Sequence, residues 1–327
     1  MIKPLRLDRR WRRIGFGLLL LVGIGLAFFS LVDVQRFSRA FGAFALGRLW
    51  MILPIAFGAL LVNAMRWHVL VARLDPGVPA WVSVVSYVAG QALVLAPGGF
   101  AFRKPLLDRA LGRKVESGPA LFVQEFLEMV SLVAYAGFGI SIFWGGVPLL
   151  IGTLVLVIVI VVTVAHDGLS GMALNALARI QRLAGIERKL RAFRLETKRL
   201  LHWSSLAMAL ILSLVADLAG PVILILVWSG FGLEAPQLPQ AAFVFAFSIL
   251  AGMFSPLPGG LGVAEVSFTT LIRLVRGGTM ADAAAISLVF RACTFLFSIA
   301  IGLVALALLY LLAALRRNSV ALKSSLP

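Results

Sequence analysis

Ser255-Pro256-Leu257-Pro258-Gly259-Gly260-Leu261-Gly262-Val263-Ala264-Glu265 places two prolines, three glycines and a carboxylate inside a long apolar region. Hydrocarbon offers backbone groups no hydrogen bonds, so broken chain at membrane depth persists only when buried in protein or lining a cavity. An ionisable residue at such a break is a functional candidate. A weaker copy occurs earlier, as Ala96-Pro97-Gly98-Gly99-Phe100-Ala101-Phe102-Arg103-Lys104. Paired interruptions in corresponding halves of a membrane protein point to a transport site.

The region around these breaks is membrane-like throughout. The 327 residues are 61% hydrophobic, against roughly 45–50% for soluble domains, and the mean hydropathy is +1.01. This composition predicts an all-α polytopic membrane protein forming one membrane domain over residues 1–327. A single cysteine, Cys293, excludes an intrachain disulfide and a thiolate metal cluster. The net charge of +16 sits in loops and ends. It reads as topology and contact with anionic lipid headgroups, not nucleic acid.

A crossing helix needs about 20 apolar residues. Candidates are 14–32, 49–71, 119–143, 147–165, 204–230 and 281–313, about six full spans, while 80–113 and 241–275 carry the breaks. Three basic segments, 1–13, 166–203 and 316–323, read as cytoplasmic by the positive-inside bias. Both termini are then cytoplasmic in a multi-pass protein of a bacterial inner membrane. Counting crossings makes 80–113 re-entrant from the inside and 241–275 re-entrant from the outside. The halves 49–143 and 204–313 therefore form an inverted-topology repeat joined by the basic linker 166–203. The linker has the apolar spacing of an amphipathic surface helix. Aligned by residue, Pro97-Gly98-Gly99 falls on Pro258-Gly259-Gly260, Lys104 on Glu265, Asn63 near Asp217, and Glu125 near Arg291. The alternative is that each Pro-Gly pair merely kinks one ordinary span.

At these residues the chain resembles the transmembrane family of lysylphosphatidylglycerol synthases/flippases. The resemblance is carried by Pro258-Gly259-Gly260-Leu261-Gly262-Val263-Ala264-Glu265, with the Pro97-Gly98 break and the Arg66-Trp67 pair in support, over about residues 14–313. It implies a flippase-like lipid transporter without the soluble aminoacyl-transferase domain that some members carry. The first break departs from the family's Pro-Gly-x-x-Gly-Glu pattern, because Ala101 and Phe102 occupy the last two places.

Each candidate residue has a sharp and a bland reading. A half-helix over roughly Leu261–Leu274 presents free N–H groups and a positive dipole end, which suit a phosphate. The chain after Gly99 would do the same, with Arg103 and Lys104 adding charge. Glu265 either contacts a cationic group or couples a proton, or it caps its own first turn. Lys104 is a phosphate ligand, a gate partner of Glu265, or a solvated cytoplasmic lysine. Asp217, four residues before Pro221, is a coupling-ion or headgroup site, or bonds the chain freed at Gly220-Pro221. Glu125 and Glu128, one turn apart, share a helix face and otherwise snorkel to water. Arg291 binds phosphate, pairs with an acid, or snorkels. His68, His166 and His202 read as interfacial, and the tryptophans as a belt at span ends.

The expected function is movement of an (aminoacyl-)phospholipid or related lipid between leaflets. The alternatives are a membrane subunit recruiting a lipid-modifying enzyme, or a membrane-embedded transferase. No G-x-x-x-x-G-K-[ST] sequence is present, so ATP hydrolysis by this chain is not expected. No catalytic cluster, metal or cofactor is expected either.

Overall fold

The computed structural model describes residues 39, 41–96, 98–141, 146–165, 200, 202–255 and 257–324. The span expected at 14–32, the basic linker expected at 166–203 (all but a few C-terminal residues), and Pro97 lie outside the described residues. The described elements are helical: α1 Leu49–Leu74, α2 Ala80–Gln91, α3 Arg103–Leu111, α4 Gly118–Ile140, α5 Gly146–Ala165, α6 Trp203–Gly230, α7 Leu238–Met253, α8 Val263–Arg276, α9 Met280–Arg291 and α10 Phe297–Ser324. A π-helical turn, Ala292–Leu296, joins α9 to α10.

Among the described residues four helical stretches are long and apolar enough to cross a membrane: Leu46–Leu74, Gly118–Ile140, Trp203–Gly230 and Met280–Leu311. Their polarity is distributed inside out. α1 exposes Phe57, Leu61 and Met65 and buries Arg66. α6 exposes Ile211 and Val215 and buries Ser213 and Asp217. A helix apolar on its outer face with charge turned inward is matched to lipid, not water. This is a multi-pass membrane protein.

The two broken regions fold as short helices, not single spans. At about 1.5 Å per residue, α2 and α7 rise only ~18 and ~24 Å, short of a hydrocarbon core of about 30 Å. Each is followed by a turn, a 3-10 segment and a second short helix. Gly98 (φ 70°) and Gly259 (φ 66°) both take the left-handed conformation that lets the chain turn there. The 3-10 segments are Gly99–Phe102 and Pro258–Gly260. The second limb of each hairpin then lies on a glycine of the first. A Cβ on Gly90 would meet the Arg103 side chain at 2.7 Å, and one on Gly252 would meet Ala264 at 3.0 Å.

The first hairpin starts and finishes at adjacent points. Arg113, just past α3, donates two hydrogen bonds to Asp75, just before α2, one of them 3.1 Å long. That bonding holds the Asp75 carboxyl below its ordinary value.

Long helix, short helix, break, short helix, long helix is the order in both halves. The packing between halves follows the same correspondence. α1 packs on α6, α4 on α7, and α10 on α2. α1 and α6 run antiparallel, with Ala45 N–H donating to Gly230 O at 2.8 Å and Arg66 donating to Ser213 Oγ at the other end. They pass through both apolar cores. One core gathers Trp67, Val82, Leu107 and Leu127. The other gathers Ile52, Val244, Phe268 and Phe290. The tryptophan belt needs correction at two positions, since Trp67 and Trp228 are buried while Trp50, Trp81 and Trp203 are exposed.

Gly260 combines a φ of 71° with a would-be Cβ 3.0 Å from the Gly252 backbone. Gly260→Ala should destabilise the protein by at least the ~1–2 kcal/mol of a left-handed L-residue. Gly58→Ala, where a Cβ meets nothing within 4 Å, should not. Thermal unfolding in detergent checks this, and equal midpoints for the two variants would contradict it.

Candidate functional site

The two breaks meet at one cavity of about 530 Å³. Gly98 and Gly99 line it from the first break, Gly259 and Gly260 from the second. Asn63 of α1, Arg103 of α3, Glu125 and Glu128 of α4, Asp217 of α6 and Arg291 of α9 complete its polar wall.

Three arginine–glutamate pairs stand at the cavity, with Arg103, Arg291, Glu125 and Glu128 on its wall and Arg66 and Glu265 just behind it. Arg103 Nη1 donates to Glu125 Oε1 at 2.7 Å, and its guanidinium lies 4.4 Å from the Tyr87 ring centroid. Arg291 Nε donates to Glu265 Oε1 at 2.8 Å, and its guanidinium lies 4.2 Å from the Phe295 ring. These pairs occupy corresponding places in the two halves with the charges exchanged. In the first, the second hairpin limb supplies the cation and the long helix the anion; in the second, the reverse holds. Both guanidinium groups also stack on an aromatic face, which favours a weakly hydrated planar cation. The third pair, Arg66 Nη2 to Glu128 Oε2 at 3.0 Å, joins α1 to α4.

Glu265 does two things at once. Its Oε2 accepts from the Gly262 N–H at 2.6 Å while Oε1 holds Arg291. Arg291 Nη2 also donates to the Gly259 carbonyl at 3.1 Å. The helix end expected to hold a phosphate is therefore occupied by the chain's own carboxylate, which satisfies an orphan amide and the dipole together. Of the readings offered for Glu265, the capping of its own first turn is present in the structure, and the Gly262 amide is not vacant.

Lys104 needs a correction. It faces away from the cavity, its ammonium donating to the Val115 carbonyl and lying 3.5 Å from Asp108. Glu265 pairs with Arg291 instead. Neighbouring residues on a helix point about 100° apart, so Arg103, not Lys104, faces the cavity. Glu125 and Glu128 are each partly exposed, at 31% and 32% of the side chain, toward guanidinium partners. Neither snorkels unpaired to water. Gly262 sits at the cap of α8, beside rather than on the cavity wall. Pro258 opens the second 3-10 segment. His68 and His202 lie against serine hydroxyls. Among the described residues no group of three His, Cys, Asp or Glu is placed to hold a metal.

Tyr87 and Phe295 line the site and Arg66 stands behind its wall; of the three only Arg66 carried a sequence signal, the Arg66-Trp67 pair of the resemblance, and that gave it no place in the site. Arg66 stands near the end of its candidate span and reads as a loop-facing charge. Only the helix phase, with Ala64, Trp67 and Leu70 buried beside it, turns it inward.

The chain belongs to the family described as the lysylphosphatidylglycerol synthase TM region, whose model matches residues 14–302. No curated protein matches it. The family places the chain among membrane proteins concerned with lipid.

The Arg291–Glu265 pair is more enclosed than Arg103–Glu125, with side-chain exposures of 9%/13% against 7%/31%. Removing one partner of an enclosed pair costs on the order of 3–5 kcal/mol. Arg291→Gln should therefore lower the unfolding midpoint more than Glu125→Gln. The opposite order would contradict the assignment.

Proposed function

We propose that this chain carries a phospholipid or related lipid between leaflets, the headgroup passing through the cavity while the acyl chains stay in surrounding hydrocarbon. The observation that carries this reading is the cavity itself, bounded by both helix breaks and walled by arginine–glutamate pairs of opposite polarity. Its size, about 530 Å³, falls within the roughly 300–1,000 Å³ of small-molecule sites, which suits a headgroup and not a whole lipid.

The chemistry is an exchange of partners. Each arginine in the cavity already holds a carboxylate, so an entering phosphate displaces one. The freed carboxylate then receives the headgroup's amine, where it has one. Charge pairing is conserved at each step, which keeps the desolvation cost of a charged group in hydrocarbon low. At the second break, Glu265 stands where a phosphate would bind the α8 N-terminus. Its departure opens the Gly262 amide and the dipole end together.

We read the two halves as an inverted repeat, with the hairpins entering from opposite faces. The matching element order, the exchanged charges and the Asp75–Arg113 clip support this. Translocation then requires only that each break open toward its own leaflet. We read the chain as a carrier and not an enzyme, driven by an ion gradient or by the lipid's own gradient.

Reconstitution into liposomes with a headgroup-labelled fluorescent lipid tests this. Wild type is expected to move the lipid across leaflets without altering it. Glu265→Gln keeps an oxygen for the Gly262 amide but removes the charge held by Arg291. It should lower the unfolding midpoint, as loss of an enclosed partner does, while the folded protein moves the headgroup about tenfold more slowly, equivalent to ~1.4 kcal/mol in the barrier. Equal rates in the two proteins would reject the role of Glu265. A new lipid product would favour a transferase, and movement only after a soluble partner is added would favour a recruiting subunit.

A further inference from the structure

The charges on and just behind the cavity wall do not balance. Arg66, Arg103 and Arg291 are matched one to one by Glu128, Glu125 and Glu265. Asp217 remains. It is 8% exposed, lines the cavity, and its Oδ2 has no hydrogen-bond partner among the described residues. A buried acceptor without a donor is costly.

Two more orphan oxygens stand near it on other helices. Asn63 Oδ1 on α1 and Ser131 Oγ on α4 are buried and equally without partners among the described residues. Asn63 lies at the level of Asp217. The Arg66–Ser213 hydrogen bond fixes the antiparallel register of α1 and α6. One turn back from Arg66 is Asn63, and one turn on from Ser213 is Asp217. Both residues line the same cavity. The Ser131 hydroxyl faces the Asp217 carboxylate, although it makes no hydrogen bond by distance and angle. Pro221, inside α6 and four residues beyond Asp217, has no N–H, so the Asp217 main-chain carbonyl also lacks its helical donor.

We propose that these oxygens form a binding site for one alkali-metal cation. The carboxylate and freed carbonyl of Asp217, the Asn63 amide oxygen and the Ser131 hydroxyl are hard ligands drawn from three helices. Hard oxygen sets select hard cations. One unmatched carboxylate fits one positive charge. Broken or proline-interrupted helices supply carbonyls to cations in this way elsewhere. The other charged or titratable groups facing Asp217 are Arg66 from α1 and Glu128 and Tyr135 from α4. Arg66 and Glu128 are bonded to each other, and Tyr135 donates to the Leu214 carbonyl at 2.7 Å. None of them cancels the Asp217 charge by a direct pair. Binding would tie α1, α4 and α6 together on one side of the cavity.

The test needs no lipid movement, so its failure is separable from failure of the proposed carrier role. The full chain in detergent is unfolded thermally in sodium, potassium or choline chloride at constant ionic strength and pH. A saturable rise in midpoint with sodium or potassium, absent with choline, is expected. Asp217→Asn should abolish the rise. Asn63→Ala and Ser131→Ala, which keep the carboxylate, should each shift the half-saturating concentration upward several-fold and keep the test informative should Asp217→Asn fail to fold. An equal rise in choline, an unchanged rise in Asp217→Asn, unshifted half-saturation in both alanine variants, or a midpoint that follows pH alone would overturn the proposal.

Discussion

Breaking a helix inside hydrocarbon exposes amides and carbonyls that lipid cannot satisfy, and the Arg291–Glu265 pair in the second half answers that constraint. Glu265 accepts the Gly262 amide, Arg291 holds Glu265, and Arg291 also donates to the Gly259 carbonyl. One ion pair therefore closes both ends of the break. Without it the turn at Gly259 and the start of α8 would present unpaired polar groups to an apolar core. The π-turn directly after Arg291 interrupts α9–α10 at the same level, as such turns often do beside functional residues.

The first break meets the same constraint with the charges exchanged. Arg103 replaces Glu265 on the hairpin limb, and Glu125 replaces Arg291 on the long helix. Small residues make room in both cases. Gly90 yields space to the Arg103 side chain, and Gly252 yields it to Ala264 and Gly260. Each hairpin packs on a long helix of the other half, α2 on α10 and α7 on α4. The Asp217 group sits between them on α6, the helix shared by both apolar cores.

Much of this was legible before any coordinates. The Pro-Gly-Gly segments announced interruptions in apolar runs, and the structure resolves whether each is a kink or a break by giving two short helices at each. Asp217 stood out as a charge near the middle of its span, whereas Glu125 and Arg291 could equally be read as snorkelling to water. Helix phase was less legible. A run such as Arg103-Lys104 does not reveal which cation turns inward, and the structure selects Arg103 through Gly90. Trp67 read as part of the tryptophan belt and Arg66 as a charge at the end of its span, yet both are fully buried. The capping by Glu265 was one of two readings of the motif, but its partner Arg291, 26 residues away, was not legible as the group that holds it.

The claim on which the carrier reading rests is that the hairpins enter from opposite membrane faces. Cys293 is the only cysteine and is buried, so Cys293→Ala gives a clean background. Single cysteines placed at Gly77, Gly112, Glu234 and Gly278 would mark the two ends of each hairpin for a membrane-impermeant thiol reagent applied to one side of sealed vesicles. Positions 77 and 112 are predicted to label from one face, and 234 and 278 from the other. Labelling of 77 and 112 from opposite faces, or of all four from the same face, would contradict the paired re-entrant architecture.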